Sequence, residues 1–396
     1  MSRPPPSIMC GSVEVSQLAE GKSVVIARSN PVAPDPRVEK AARVLGAAGY
    51  SVHIVAWDRM GDRAPMEEID NFTLHRLQIV SEFGLGIRNL PALIRWELGL
   101  LNWLRKNRTL YHVVHACDFD TILPALVAKA LWRKRVVYDV FDFYVEMLRA
   151  TPRVIKILIR ALDLWAMGKA DAVILADDSR KAQISGARPR KIEVIVNTPE
   201  DGRIDTAGFS ETKPQWSQLH LVFVGLLQLE RGMLEILEIL SKRPDWSMDL
   251  AGFGGDQAVI LSRASSMQNV KFHGRVPYKR ALALSSLADV IVATYDPSIP
   301  NHRYSSPNKL FEAMMLGKPV VVAEHTNMDR IVRAYNCGLV IPYGDVEALE
   351  ETLARLARDE ELRSNLGTAG RRAYDEVFSW NRMADRLISI YADLTG

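Results

Sequence analysis

"SVVIARSNPVAPDPRVEKAARVLGAAGYSVHIVAW", residues 23–57, begins and ends in apolar, β-branched runs with a helical pattern between them. The two runs, SVVIARS (23–29) and YSVHIVAW (50–57), are nearly continuous in apolar residues, the signature of strands buried on both faces of a parallel sheet. From about Arg37 to Ala48 the pattern is that of the crossover helix such a sheet needs. The alternation continues through HVVHA, RVVYDV and DAVILAD, so the first half reads as doubly wound α/β. It resets after VIVNTPEDGRIDTAGFSETKPQWSQ (194–218), which is polar and carries Pro and Gly. LHLVFVG, SMDLAGFG, VKFHG, DVIVAT, KPVVVA and CGLVIP then form a second set of strands, with RGMLEILEILSKR as its first helix.

The expected architecture is therefore two facing Rossmann-like, doubly wound parallel-sheet domains, residues 22–196 and 218–378, with a cleft between them. A linker at 197–217 joins them, residues 1–21 are a flexible lead-in, and a C-terminal helix at 379–396 is placed to pack back on the first domain. In open α/β sheets ligands bind outside the carboxyl ends of the strands, so function is sought in the strand-to-helix loops.

At 396 residues, 48% apolar and 24% charged, the chain has an ordinary globular composition and more length than one core usually holds. Its three cysteines, Cys10, Cys117 and Cys337, form no CxxC pair, which fits neither a disulfide framework nor a zinc site and suggests a reducing cytoplasm. No charged-then-apolar leader is found at the start, and no apolar run is long enough to span a bilayer. Residues 85–160 carry 13 Lys and Arg against 6 Asp and Glu, interleaved with apolar residues in IRNLPALIRWELGLLNWLRK and LRATPRVIKILIRALDLW. Basic amphipathic helices with Trp suit an anionic membrane surface; the same pattern equally suits two helices packing apolar faces on a sheet. No nucleic-acid motif is recognised.

Three loops of the second half have anion-binding chemistry. FVGLLQLERGMLEIL runs from a strand through Gly225 to Arg231 and Gly232 at a helix start, and LAGFGGD sets Gly252, Gly254 and Gly255 between strand and helix. Glycines allow close backbone approach to a ligand and helix N-termini attract phosphate, although tight turns in any α/β protein look alike. Neither loop is GxGxxG, which disfavours a dehydrogenase. The third loop is NHRYSSPNKLFEAMMLGKPVVV, where Ser306 as N-cap, Pro307 at the first position and Gly317 past the end bound a short helix. Lys309 and Glu312 then share one face of its first turns. A cation there is disfavoured by the helix dipole unless an anion is bound beside it; the bland alternative is an exposed ion pair.

FVGLLQLERG, LAGFGGD, NVKFHGRVP and SSPNKLFEAMMLGKPVV, in this order, with NPVAPDPRVEKAARVLGAAGY in the first half, resemble glycosyltransferase family 4, whose fold is GT-B. The resemblance spans residues 22–392. It implies a nucleotide-sugar donor, UDP- or GDP-linked, as co-substrate and no other cofactor. Residue by residue, it implies that Glu312 holds the ribose hydroxyls and that Arg231, helped by Lys309, neutralises the diphosphate. It also places Ser305, Ser306 and Asn308 at the sugar and phosphate, Arg275 and Val276 at the base, and Gly225 and Gly254 in the donor loops. Three positions depart from the family pattern: Tyr304 stands where members carry an earlier glutamate, Leu226 where a basic residue commonly follows the strand glycine, and Phe141 where many have a histidine.

The mechanism follows from charge. Cleaving an anomeric carbon from a diphosphate leaves an anion that fixed cations and helix N-termini stabilise, with no metal required. Retention is then expected, the leaving phosphate accepting the acceptor's proton. In the first half HVVHACDFDTILPA ends a strand with His115 and Asp118, candidates to orient an acceptor hydroxyl, or loop residues that cap the next helix, as Asp120 also could. Asn30, Arg37 and Asp142 are assigned to the same acceptor side, and Asp35 to that side or to a helix cap. The expected function is transfer of a sugar to a glycan or lipid-linked acceptor by a cytoplasmic enzyme, peripheral at the inner membrane face. A nucleotide-sugar epimerase or a transferase-like scaffold without turnover are the alternatives on this fold.

Overall fold

The computed structural model describes residues 21–82, 89–148, 151–202, 209 and 211–395. The expected lead-in up to residue 20, residues 85–88 and 149–150 of the basic segment, and residues 203–208 and 210 of the expected linker lie outside the described residues. The chain divides into two compact units, Met1–Val196 with Met383–Gly396, and Asn197–Arg382.

The strands of the first unit are β1 (Ser23–Arg28), β2 (Ser51–Asp58), β3 (Met66–Ile69), β4 (Phe72–Gln78), β5 (Val113–Cys117), β6 (Arg135–Val140), β7 (Ala172–Leu175) and β8 (Ile192–Val194). They form one sheet in the order β3-β4-β2-β1-β5-β6-β7-β8. All neighbours are parallel except β3, which pairs antiparallel with β4. The central strands are buried along their length because helices cover both faces, whereas β4, near the edge, alternates buried and half-buried residues. That alternation and the turn at Asp70 (φ 49°) make a hairpin absent from the sequence expectation. The order reverses between β1 and β5, whose loops lead into the helices Pro36–Ala47 and Phe119–Trp132.

The second unit carries β9 (Leu219–Leu226), β10 (Trp246–Phe253), β11 (Val270–Phe272), β12 (Val290–Ala293), β13 (Val320–Ala323) and β14 (Gly338–Ile341) in the order β11-β10-β9-β12-β13-β14. Every pair is parallel. Here the order reverses between β9 and β12. A doubly wound sheet opens at such a reversal, because the loops from the two strands turn to opposite faces. Each unit thus has one ready-made place for a ligand.

The helix Trp380–Thr395 runs out of the second unit and ends in the first. Its Tyr391 is fully buried there, with the hydroxyl 2.6 Å from His115 Nδ1. His115 Nε2 lies 3.3 Å from Asp139 Oδ2, and Arg37 clamps the same carboxylate through Nη2 at 2.7 Å and Nε at 3.3 Å, with Nη1 donating to the Ile195 carbonyl. Burial alone would raise the Asp139 carboxyl, but Arg37 and His115 hold it below the usual range. This corrects two expectations. His115 sits within β5 rather than past its end and is 1% exposed, and Arg37 is 7% exposed. Both direct their polar groups to partners inside the fold, Asp139, Tyr391 and the Ile195 carbonyl, which argues against the expected acceptor role.

Tyr391→Phe removes one partner and leaves a buried ring nitrogen unsatisfied, so it is expected to lower the stability of the first unit by about 1 to 3 kcal/mol. Denaturant unfolding followed through that unit tests this; an unchanged midpoint would mean that apolar packing alone holds the helix.

Candidate active site

The reversal between β9 and β12 gathers the second unit's polar residues. β9 leads into a 3-10 turn, Leu229–Arg231, and then through Gly232 into the helix Met233–Lys242. Gly232 has φ 70°, and a Cβ on it would come 2.1 Å from Thr294 Oγ1, so only glycine lets this turn lie against the end of β12. That contact aims Arg231 across the reversal. Its Nη1 donates to the Tyr295 hydroxyl at 2.6 Å, its Nε to Gln228 Oε1 at 3.0 Å, and its guanidinium lies over the Tyr295 ring.

The helix Asn308–Met315 points its start at the same place. Pro307, not Ser306, is its N-cap residue, and no side chain caps the first turn; the Ser306 hydroxyl instead accepts from Asn327 Nδ2 at 2.9 Å. At the far end Gly317 (φ 62°) closes the helix through Gly317 N to Met314 O and Lys318 N to Ala313 O, a Schellman stop. The helix is eight residues long, buries its Leu310–Phe311 and Ala313–Met315 side, and keeps Glu312 half-buried.

Lys309 overturns the reading of an exposed ion pair. It is 7% exposed, with Nζ 3.2 Å from the centre of the Phe223 ring on β9 and no hydrogen-bond partner among the described residues. Burial, and next the neighbouring Arg231, push its ammonium well below the ordinary lysine pKa, with Glu312 pulling the other way. Asn308 Oδ1, one residue before, is likewise buried without a partner among the described residues. Glu312 accepts a hydrogen bond from the Tyr278 hydroxyl. Two basic side chains and a helix start thus converge where a buried anion would find hydrogen-bond donors, while Asn308 Oδ1, an acceptor, would need a hydroxyl or amide donor.

The remaining donor-side positions behave differently. Gly225 ends β9 with φ 152°. Gly254 is required by packing, since its Cβ would come 2.3 Å from the Leu227 carbonyl, so one loop lies on another at this glycine. Arg275 is exposed with its guanidinium over Phe253, and Val276 follows it half-buried in the loop that leads to Tyr278. Ser305 donates its amide to His302 O at 3.2 Å. Tyr304 is half-buried at the end of the short helix Pro300–Arg303, and Leu226 is 40% exposed. Tyr295, Tyr278 and Phe223 were not expected. The position of Tyr295 just past β12 becomes a signal only once the strand order is known.

In the first unit the reversal between β1 and β5 holds an ion cluster. Arg28, the last residue of β1, donates Nε to Asp35 Oδ2 at 2.9 Å and Nη1 to Asp118. Asp118 adopts φ 65° and ψ 173°, accepts the Phe141 amide at 2.9 Å and makes no side-chain cap, so its expected capping alternative fails. Burial raises its carboxyl to about 6 against the pull of Arg28. Asp35 does cap the helix Pro36–Ala47, and Asn30 bonds it at 2.7 Å. Phe141 is sandwiched between the guanidinium groups of Arg28 and Arg37. Asp142, at the end of β6, pairs with Arg180 at 2.7 Å and is half exposed. Asn30, Asp118 and Asp142 therefore gather at the carboxyl ends of the strands, as does Arg37, whose guanidinium is bound to Asp139 and the Ile195 carbonyl, whereas His115 lies within β5.

With this geometry in view, family models match both halves: "Glycosyltransferase Family 4" over residues 37–198 and "Glycosyl transferases group 1" over residues 210–373. The phosphatidyl-myo-inositol mannosyltransferase of Mycobacterium leprae is 30% identical over 286 residues, which is 69% of this chain and 73% of that protein. The chain belongs to glycosyltransferase family 4. A GDP-mannose-dependent monoacylated alpha-(1-6)-phosphatidylinositol monomannoside mannosyltransferase of Corynebacterium glutamicum is 28% identical over 39% of this chain and 40% of its own length. Sucrose-phosphate synthase from Thermosynechococcus elongatus shares the fold, with a TM-score of 0.78 at 16% identity over 94% of this chain and 99% of that one. The family is one of glycosyltransferases, so the chain is an enzyme of that class, and the two α/β sheets are those expected of GT-B.

A buried, unpaired cation costs stability, so Lys309→Met is expected to make the unliganded chain about 1 to 4 kcal/mol more stable. The linkage has a definite sign. The folded state binds this proton more weakly than the unfolded state, so the penalty is full below the lowered pKa and is relieved as pH rises from there towards the ordinary value of 10.5. Unfolding curves of wild type and Lys309→Met should therefore converge at alkaline pH; a variant less stable than wild type at neutral pH would refute this account.

Proposed function

We propose that the enzyme transfers a sugar from a UDP- or GDP-linked donor to a glycan or lipid-linked acceptor, with retention and without a metal ion. The observation that carries the reading is the pair Arg231 and Lys309 at the reversal of the second sheet. A diphosphate bound there would gain two cations and a helix start that are already fixed in place, so little reorganisation is needed as leaving-group charge grows. Glu312 lies one turn further along the same helix, where a carboxylate can accept from two ribose hydroxyls; Tyr278 currently holds it. Ser305, Ser306 and Asn308 are the groups nearest that helix start, and Arg275 and Val276 precede Tyr278 on the neighbouring loop, which supports their assignment to sugar and base. The GDP-mannose dependence in the name of one relative supports a nucleotide of this kind. Retention follows if the acceptor oxygen bonds the anomeric carbon on the face that the diphosphate leaves, a leaving phosphate oxygen taking the proton while the fixed cations stabilise the diphosphate charge.

On the acceptor side, Asp118 is the best-placed residue to bond an acceptor hydroxyl, since it stands at the sheet reversal in a strained backbone conformation that its neighbours over-determine. A lipid-linked acceptor is supported by the surface around it. The helix Leu90–Lys106 buries Ala92, Trp96, Leu100 and Leu104 and exposes a second apolar stripe, Leu90, Ile94 and Leu98. The helix Arg153–Lys169 exposes Val154, Ile157, Leu158 and Trp165. Packing on the sheet explains the first stripe and not the others, and the exposed Arg95, Arg105, Lys106 and Arg153 flank them. Such a surface supports docking on an anionic membrane. Among the described residues no helix is long and apolar enough to cross a membrane.

Calorimetry with a nucleoside and its diphosphate tests the donor site. Glu312→Ala should weaken both by about 1.5 to 3 kcal/mol, because it removes charge-assisted hydrogen bonds to the ribose. Lys309→Met should spare the nucleoside and weaken only the diphosphate; wild-type affinity in both variants would remove the assignment. Vesicle sedimentation tests the surface: binding to anionic liposomes should fall with salt and with Arg153→Glu and Lys156→Glu together. Arg160 is unsuited to this test, since its guanidinium bonds the Gln183 carbonyl. Equal recovery with and without vesicles would count against membrane docking.

A further inference from the structure

The two exposed stripes are not flat. Between the helices Leu90–Lys106 and Arg153–Lys169 lies a groove of about 700 Å³, within the range of small-molecule sites. Its rim is apolar and open, with Ile94 and Leu158 at 47% and 65% exposure. Its floor is buried and polar. Phe119 and Asp120, directly past the end of β5, are each 7% exposed, and Glu97 and Arg59 reach the same floor. Asp120 Oδ1 has no hydrogen-bond partner among the described residues.

From this gradient we propose that the groove binds a glycolipid, with a hydroxylated, uncharged head on Asp120 at the floor and its hydrocarbon chain running out between the two helices. The inference rests on the transferase reading above and names the acceptor class for it. Carboxyl groups beside aromatic rings suit sugar hydroxyls, which donate to the oxygens while the ring faces cover the C–H surface. Burial, with Asp120 next, raises Glu97 to about 7, so near neutral pH it can also donate. Glu97 and Asp120 outnumber Arg59, the one cation among the groove's described lining residues, which disfavours a phosphate or fatty-acid head there. Other basic residues lie outside, at Arg95 and Arg153, where an anionic bilayer would meet them. The occupant must therefore enter polar end first from an anionic surface, which places its hydroxyl two residues from Asp118.

The test uses the full chain, with alkyl β-glucosides below their micelle concentrations titrated by calorimetry beside glucose and decanoate. From hexyl to decyl glucoside, affinity is expected to rise up to about fourfold per methylene. Glucose and decanoate should each bind at least about tenfold more weakly than decyl glucoside. Leu158→Asp, at an exposed position that tolerates charge, should flatten the chain-length dependence, and Asp120→Asn should weaken all glucosides but not change that dependence. Affinity independent of chain length, decanoate binding as tightly as decyl glucoside, or wild-type behaviour of Leu158→Asp would each overturn the proposal. The nucleoside diphosphate titration is run on the same samples and depends on the other unit, so loss of nucleotide binding would refute the transferase reading and loss of glucoside binding the groove.

Discussion

A lysine ammonium buried at the start of a helix, over the face of Phe223 and beside Arg231, is the constraint around which the second unit is arranged. Helix N-termini repel cations and burial penalises them, and within the unliganded fold only the Phe223 ring face and the charge of Glu312 offset that cost for Lys309 among the described residues. The surrounding structure nevertheless over-determines it. Gly232 lets the Arg231 turn sit on β12, Tyr295 fixes the guanidinium, and the Schellman stop at Gly317 sets where the helix begins and ends. On the proposed donor reading, that cost in stability keeps positive charge preorganised for a growing anion.

The first unit solves the same topological problem with opposite chemistry. At its reversal the cation Arg28 is already neutralised by Asp35 and Asp118, and the surplus is acidic, with Asp120 and Glu97 beyond it. Such a place welcomes hydroxyl groups and repels phosphate. Under the proposed function, the basic end of one unit would meet the donor's phosphates and the acidic end of the other the acceptor's hydroxyls.

Apolar surface divides in the same way. Every parallel-sheet helix must bury one stripe, and Trp96 and Leu100 do so. A second exposed stripe on the same helix is not accounted for by packing on the sheet, and its presence on two helices around one groove is what the proposed lipid reading uses.

Strand and helix alternation, the two domains' worth of repeats and the glycine and proline boundaries of the short helix at residues 308–315 were legible because they depend on local pattern, period and backbone conformation. The pairing of Lys309 with Glu312 on one helical face was legible for the same reason. Its burial was not, since that depends on Phe223, which only the strand order brings beneath it. His115 and Arg37 looked like site residues because polar groups beside strand ends usually are. Tertiary packing turned them inward, because Asp139 on the neighbouring strand and Tyr391 from the far end of the chain supply the partners that make their burial affordable. The sequence by itself thus determined which segments become strands and helices and which loops carry charge. The tertiary structure alone decided which of those charges are satisfied internally and which, like Lys309 Nζ and Asp120 Oδ1, keep a buried atom without a partner among the described residues, because hydrogen-bond satisfaction is settled between residues that the chain order leaves far apart.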